Sequence, residues 1–393
     1  MSDKLHKETQ SIRIQSERTS QREHSTPLFM TSSFVFDDAE QARAMFADEI
    51  PGNIYSRFSN PNSNEFVEKM CMLEEAEDGV ATASGMAAVF TSIAGLLRSG
   101  DHIVSSRAVF GSTHQILTQI LPRWGITTTY VDPTDMKAWA DAIGPQTRML
   151  FAETPSNPGL ELTDLEFLGK LAEKHDLIFN VDNCFATPYI QVPTRFGAHI
   201  VTHSATKYID GQGRAIGGVI VGRSDLIKEI RFFARQTGPA LSPFNAWIFS
   251  KSLETLSIRM DRHCESALKL AQWLEKSSHV ESVRYPFLKS YPQYELATKQ
   301  MTKGGGMVSF DIKGGAERGR RFLDALSVCS LTANLGDSRT IVTHPASTTH
   351  SKLKPEEREA VSIGDGLVRV SAGLEFIDDI ISDIEEGFIK SNI

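Results

Sequence analysis

The chain has 393 residues, 40% of them hydrophobic and 23% charged, with a formal net charge of −8. This length exceeds one ordinary core and predicts two domains, or a large domain with a smaller one. The acidic balance offers no basic patch for nucleic acid or an anionic membrane. No apolar run reaches the length of a membrane span, and the polar N-terminal stretch carries no leader core. The four cysteines, Cys71, Cys184, Cys264 and Cys329, are widely spaced with no C-x-x-C pair. That argues against a disulfide framework or a zinc knuckle and fits a reducing cytoplasm.

Residues 1 to about 36 are rich in Ser, Thr, Gln and Arg and read as an extended arm. Composition leaves open a loose terminus or an arm that packs on a partner subunit. Helices are predicted over Asp37–Glu49, with Ala39, Ala42, Met45 and Phe46 on one face, and over Asn64–Asp78, with Phe66, Val67, Met70 and Leu73 inward. Apolar runs at Val80–Ala83, His102–Ser105, Thr127–Val131, Met149–Ala152, Leu177–Val181, His199–His203 and Gly217–Gly222 read as strands. Helices start near Gly85, Ser112, Thr134 and Thr163, the last with a capping box made by Thr163 and Glu166. This alternation predicts an α/β domain, a mostly parallel sheet with helices on both faces. Ser242–Ser277 reads as long helical sequence able to bridge two domains. Beyond it, strands near Met307–Ile312 and Leu367–Ser371 and helices near Ala316–Leu326 and Asp379–Phe388 predict a smaller C-terminal α+β unit. The predicted division is 1–50 for the arm and a short helix, 51–255 for the large domain and 256–393 for the C-terminal domain.

Four features fall where chemistry sits in such sheets, at the carboxyl ends of strands. Ser84-Gly85-Met86 follows a strand and opens a helix, so it is either a plain tight turn or an anion site at a helix N-terminus. Asp182 follows an apolar strand, as a solvated strand end, a helix cap or a fixed anion in a cleft. Ser204-Ala205-Thr206-Lys207 puts two hydroxyls ahead of a lysine. It reads as ordinary surface, or as a phosphate clamp beside an amine able to form a Schiff base. Tyr55-Ser56-Arg57 is an exposed loop that could also hold phosphate oxygens. Together these supply phosphate donors, a carboxylate for a pyridinium nitrogen and an aldehyde-binding amine, the inventory for pyridoxal 5′-phosphate.

The motifs resemble the Cys/Met-metabolism family of fold-type I pyridoxal-phosphate enzymes, from about Thr26 to Ile380. The resemblance rests on His203-Ser204-Ala205-Thr206-Lys207-Tyr208, with Tyr55-Ser56-Arg57, Ser84-Gly85-Met86, Pro155-Ser156-Asn157-Pro158, Val181-Asp182-Asn183 and Leu241-Ser242-Pro243-Phe244 in family order. The stretches Val109–Thr113, Tyr208–Gly213 and Pro243–Trp247 look most like the O-succinylhomoserine sulfhydrylase branch. The resemblance implies a large cofactor-binding domain with a seven-stranded sheet, a smaller C-terminal domain and an N-terminal arm. It implies Lys207 as Schiff-base lysine and proton shuttle, and Asp182 as partner of the pyridine nitrogen. Gly85, Met86, Ser204 and Thr206 would hold the phosphate, with Tyr55 and Arg57 reaching it from a neighbouring subunit. Asn157 would lie near the phenolic oxygen, and Arg369 would bind the substrate carboxylate with Asn334 nearby. Phe110 stands where many relatives stack a tyrosine on the ring, which leaves more proton work to Lys207 and favours the sulfhydrylases over the lyases.

The implied reaction is γ-replacement, O-succinylhomoserine plus sulfide giving homocysteine and succinate, in a dimer or homotetramer. Cystathionine γ-synthase and γ-lyase activities share every cofactor residue and stay as alternatives. A non-catalytic binding module would be expected to lack Lys207 or Asp182. A dinucleotide site lacks its G-x-G-x-x-G. A metal site from His203, His344 and His350 has no helical ligand spacing, so no metal is expected.

Overall fold

A computed structural model describes residues 5–348 and 363–392. The seven predicted strands form one sheet. They are β1 (Asp78–Thr82), β2 (His102–Ser106), β3 (Thr127–Val131), β4 (Thr147–Glu153), β5 (Ile178–Asp182), β6 (Ile200–Ser204) and β7 (Gly218–Gly222), in the order β1-β7-β6-β5-β4-β2-β3. β7 pairs antiparallel with both of its neighbours, while the pairings among β3, β2, β4, β5 and β6 are parallel. Side chains alternate across the sheet. On β4, Leu150 and Ala152 enter one core with Phe179, Val181 and Val201. Met149 and Phe151 enter another with Ile103 and Val89. Both faces are therefore covered, as a largely parallel sheet requires.

A second sheet of five strands lies later in the chain, in the order β10-β11-β12-β9-β8. Its members are β8 (Val280–Arg284), β9 (Met307–Ile312), β10 (Ser330–Leu331), β11 (Ile341–Thr343) and β12 (Leu367–Ser371). β9 and β12 have the predicted bounds. β8, β10 and β11, and the helices at Ser224–Thr237 and Tyr294–Gln300, lie outside the sequence expectations.

Three expectations need correction. The helix expected over Asn64–Asp78 spans Pro61–Glu74, because Asn60 caps it by accepting the Asn62 N–H and Pro61 sits in its first turn. Asp78 instead begins β1. The cap expected at Thr163 belongs to Asp164, which accepts from the Phe167 N–H. Thr163 has its own N–H on Thr154 and its carbonyl on Gln300, so the chain enters the helix one residue later. The long helix over Ser242–Ser277 is two, Pro243–Leu253 and Leu256–Leu274. The Ser252 carbonyl accepts from the N–H and hydroxyl of Thr255 and from Arg259, which ends the first helix.

The arm carries a helix of its own, Lys7–Arg13, and lies against its own chain. Glu65, 2% exposed, accepts from the Ser16 N–H and from the hydroxyls of Thr26 and Ser250, and it pairs with the fully buried Lys69 at 3.2 Å. Asn62 accepts from the Phe29 N–H and donates to the Pro27 carbonyl. Ser33 then bridges to Tyr55. The strap thus runs from a buried carboxylate to the loop that carries Tyr55 and Arg57. Burial opposes ionisation of Glu65, but the Ser250, Thr26 and Ser16 donors and the Lys69 charge outweigh it and lower its pKa below 4.5. Its contribution is full above pH 4.5 and fades as the pH falls through the lowered folded value. Glu65→Ala leaves the buried Lys69 with Glu254 alone, at 3.5 Å, as its counter-charge and should cost about 3 kcal/mol in denaturant unfolding. Limited proteolysis should then cut the arm before Met30, and an arm as protected as in the parent would contradict this role for Glu65.

Candidate active site

Five strands that run in the same direction lead to candidate site residues at one edge of the sheet. β1 leads to Ser84-Gly85, β2 to Phe110, β4 ends in Glu153 ahead of Asn157, β5 ends in Asp182, and β6 ends in Ser204 ahead of Lys207. Asp182 and Ser204 are the last residues of their strands and not the residues after them. Residue parity sets the faces. Glu153 is in register with Asp182, and Asp182 with Thr202, so Glu153, Asp182 and Ser204 project from the same face. Asn180, on that face, donates to Ser92 in the helix Gly85–Ala94. His203 points the other way.

Lys207 donates to the Asn334 side-chain oxygen at 2.7 Å. Burial lowers its pKa, the Cys184 thiol opposes that, and Arg369 adds to it. Arg369, 4% exposed on β12, donates to the Asn157 side chain at 2.9 Å and to the Asn334 carbonyl at 3.2 Å, while its Nε has no partner. Burial brings its guanidinium down to about 10. One residue, Asn334, therefore joins an amine to a buried guanidinium, through its side chain on one side and its main chain on the other.

Asp182 accepts the Cys184 N–H at 3.0 Å. Burial raises its pKa, and the Cys184 N–H and the His203 charge work against that rise. Neighbouring Asn183 is fixed by donating to Glu74 and the Gln191 carbonyl. His203 meets the same Glu74 oxygen at 2.6 Å, with both side chains buried, which makes His203 part of the support beneath Asp182. Phe110 is held by its N–H on Glu153 at 2.7 Å. Glu153 and Cys184 were absent from the sequence expectations. The signal that found Asp182, a carboxylate ending an apolar strand, was equally present at Glu153.

Gly85 opens a helix capped by Ser84, which accepts the Ala87 N–H and leaves the N–H groups of Gly85 and Met86 without partners inside the helix. A Cβ on Gly85 would stand 2.5 Å from Ser204 Cβ and 2.8 Å from Ser204 Oγ. The helix start and Ser204 are thus packed in direct contact, an approach that only glycine permits. The nearby Thr206 hydroxyl exchanges hydrogen bonds with the Gly217 N–H and carbonyl. Tyr55 and Arg57 are not brought to this helix start within the chain. Arg57 donates to the Arg235 carbonyl and lies over the Phe58 ring at 4.7 Å, and Tyr55 is 39% exposed. Gly85→Ala should push Ser204 and the helix start apart and weaken binding of a phosphate-bearing aldehyde by about tenfold or more. Equal dissociation constants for the two proteins in an absorbance titration would remove the cradle from Gly85.

His344 meets Ser347 and the Asp365 carbonyl, and His350 lies outside the described residues. Among the described residues no group of three or more His, Cys, Asp or Glu gathers to hold a metal ion, and no helix is long and apolar enough to cross a membrane.

The model of the Cys/Met metabolism PLP-dependent enzymes matches residues 8–389. The chain is 49% identical to an O-succinylhomoserine sulfhydrylase of Pseudomonas aeruginosa, over 97% of this chain and 94% of that one. It is 45% identical to an L-methionine gamma-lyase of Porphyromonas gingivalis, over 92% of each. A Campylobacter jejuni structure described as an O-acetylhomoserine (thiol)-lyase superposes with a TM-score of 0.94 at 32% identity, over 98% of this chain and 100% of that one, and carries a pyridoxyl-lysine phosphate residue. The edge of strand ends, the buried amine and the agreement over nearly the whole length lead to one statement: the chain belongs to the Cys/Met metabolism family of pyridoxal-phosphate-dependent enzymes.

Proposed function

We propose that this enzyme replaces the γ-substituent of an acylated homoserine with sulfide, converting O-succinylhomoserine and sulfide to homocysteine and succinate. The observation that carries the reading is the Lys207–Asn334–Arg369 arrangement, an amine and a buried guanidinium joined through one residue. An α-amino acid has the matching pair of groups, an amine to exchange with Lys207 and a carboxylate for the Arg369 fork. The 49% identical sulfhydrylase favours an acylated homoserine as the amino acid.

The residues present fit pyridoxal phosphate. The Gly85 and Met86 N–H groups at the helix start, which the absent Cβ of Gly85 lets pack directly on Ser204, would hold its phosphate together with the Ser204 and Thr206 side chains. Asp182 would pair with the ring nitrogen, Phe110 would cover the ring, and Asn157 would lie by its phenolic oxygen. When bound, the cofactor supplies an electron sink that acidifies the protons at Cα and Cβ, which lets the γ-substituent leave. Lys207, once its amine is free, would take and return those protons. Burial and the Arg369 charge lower its pKa, so more of it is the free base near neutral pH than of an exposed lysine. Asn334 keeps the freed amine close to the arginine that orients the substrate. With phenylalanine at position 110, no hydroxyl over the ring competes for this proton work.

Tyr55 and Arg57 would complete the phosphate site of a second copy of the chain. Their loop runs alongside the arm, where Met30 and Val35 are 66% and 98% exposed, as a surface awaiting a partner would be. A dimer is the smallest complete unit on this reading, a homotetramer extends it, and the location is cytoplasmic.

The test is turnover of succinyl, acetyl and phosphoryl homoserine with sulfide, and of the succinyl ester with cysteine. Homocysteine from the succinyl ester and sulfide supports the proposal. Cystathionine formed in preference would make the enzyme a γ-synthase, and 2-oxobutanoate formed without either nucleophile would make it a γ-lyase, as the methionine gamma-lyase relatives allow. In the same assay Arg369→Ala should raise KM for the amino acid by about a hundredfold, since a charged hydrogen-bonding pair is worth 2–5 kcal/mol, with cofactor absorbance unchanged. An unchanged KM would move the carboxylate site elsewhere.

A further inference from the structure

Glu153 lies among the residues proposed to face the cofactor, yet no step above uses it. It is 5% exposed at the end of β4, in register with Asp182 on the neighbouring strand and on the same face. Two acids placed side by side in a water-poor edge cannot both be ionised without a cation between them. Among the described residues, the charged neighbour that bears on Glu153 is Asp182, which has the same sign. Main-chain N–H groups favour the ionised form of both acids, one at Asp182 from Cys184 and two at Glu153 from Phe110 and Asn157; at Glu153 burial and the Asp182 charge outweigh them, whereas His203 on β6 favours the ionised form of Asp182 alone. The other titratable groups around the pair are Cys184, which borders both acids and Lys207, and Arg369 beyond Lys207. None of His203, Lys207 and Arg369 bears on Glu153.

Glu153 also has a mechanical position that Asp182 does not. It accepts the Phe110 N–H from the turn after β2 and the Asn157 N–H from the turn after its own strand. Those are the turns that present the ring-covering phenylalanine and the amide bonded to Arg369. One carboxyl therefore holds two walls of the pocket while standing next to the anion meant for the ring nitrogen.

We infer that Glu153 is a positioning residue that works as a neutral carboxylic acid, fixing the Phe110 and Asn157 turns and leaving Asp182 as the anion for the ring nitrogen. A protonated acid accepts the two N–H groups through its oxygens and adds no second negative charge beside Asp182. Burial and the Asp182 charge both push Glu153 in this direction, well above the usual carboxylate range. The proposal rests on the reading of the site given above, in which Asp182 serves the cofactor nitrogen.

Its test has a readout that does not involve turnover. Cofactor-free protein at neutral pH should show the infrared band of a protonated carboxyl, and Glu153→Gln should lack it. Glutamine reproduces the neutral acid, so Glu153→Gln should bind pyridoxal phosphate within about threefold of the parent, while Glu153→Ala, which frees both turns, should bind it about tenfold or more weakly. A parent spectrum without the band, a glutamine variant as weak as the alanine variant, or three proteins that bind alike would each overturn the inference. The infrared result stands whichever nucleophile or acyl group the enzyme uses, so its failure is separate from failure of the proposed reaction.

Discussion

The hydrogen bond between the Lys207 amine and the Asn334 oxygen joins the two sheets of the molecule at the point where the chemistry is proposed. Lys207 follows β6 in the seven-stranded sheet, and Asn334 precedes β11 in the five-stranded one. The same Asn334 accepts Arg369 from β12 through its main chain. A buried amine tolerates such a place only as a poor cation with a good acceptor, and burial together with Arg369 makes it so. The features around it answer that constraint. Asp182, proposed as the anion for the ring nitrogen, stands on the next strand, and the second acid, Glu153, lies farther along the edge.

Much of this was legible in the sequence because the strands are short, apolar and bounded by turn residues. Thr127–Val131 carries the same bounds in sequence and structure, and Lys207, Asp182 and Gly85 fall at strand ends as expected. What was not legible depended on distant partners. The break at Glu254-Thr255 exists because Arg259 takes the Ser252 carbonyl, which no local pattern reveals. The cap at Asp164 was chosen over Thr163 by contacts with Thr154 and Gln300. The helix Ser224–Thr237 is a different case, since Ile227 and Ile230 face the sheet at helical spacing and that signal lay in plain view. Tyr55 and Arg57 stand apart again. Their proposed role needs a second copy of the chain, and a single chain places Arg57 on Arg235 and Phe58 instead.

The arm shows how one buried group extends its influence to the surface. Glu65 ties Ser16 and Thr26, Asn62 ties Pro27 and Phe29, and the Ser33–Tyr55 bridge follows. Residues 16 to 33 are not the loose terminus weighed from composition, since Glu65 and Asn62 fasten them to their own chain. On the proposed reading that fastening has a function, because it sets where Tyr55 and Arg57 emerge for the neighbouring site.

The central claim is that Lys207 is the amine that bonds to the cofactor. Borohydride reduction of the loaded protein, followed by digestion and mass analysis of peptides, tests it most directly. The account predicts a pyridoxyl-phosphate addition on the peptide containing Lys207, and loss of both the addition and the visible absorbance in Lys207→Ala. An addition on another lysine, or absorbance retained in Lys207→Ala, would contradict it.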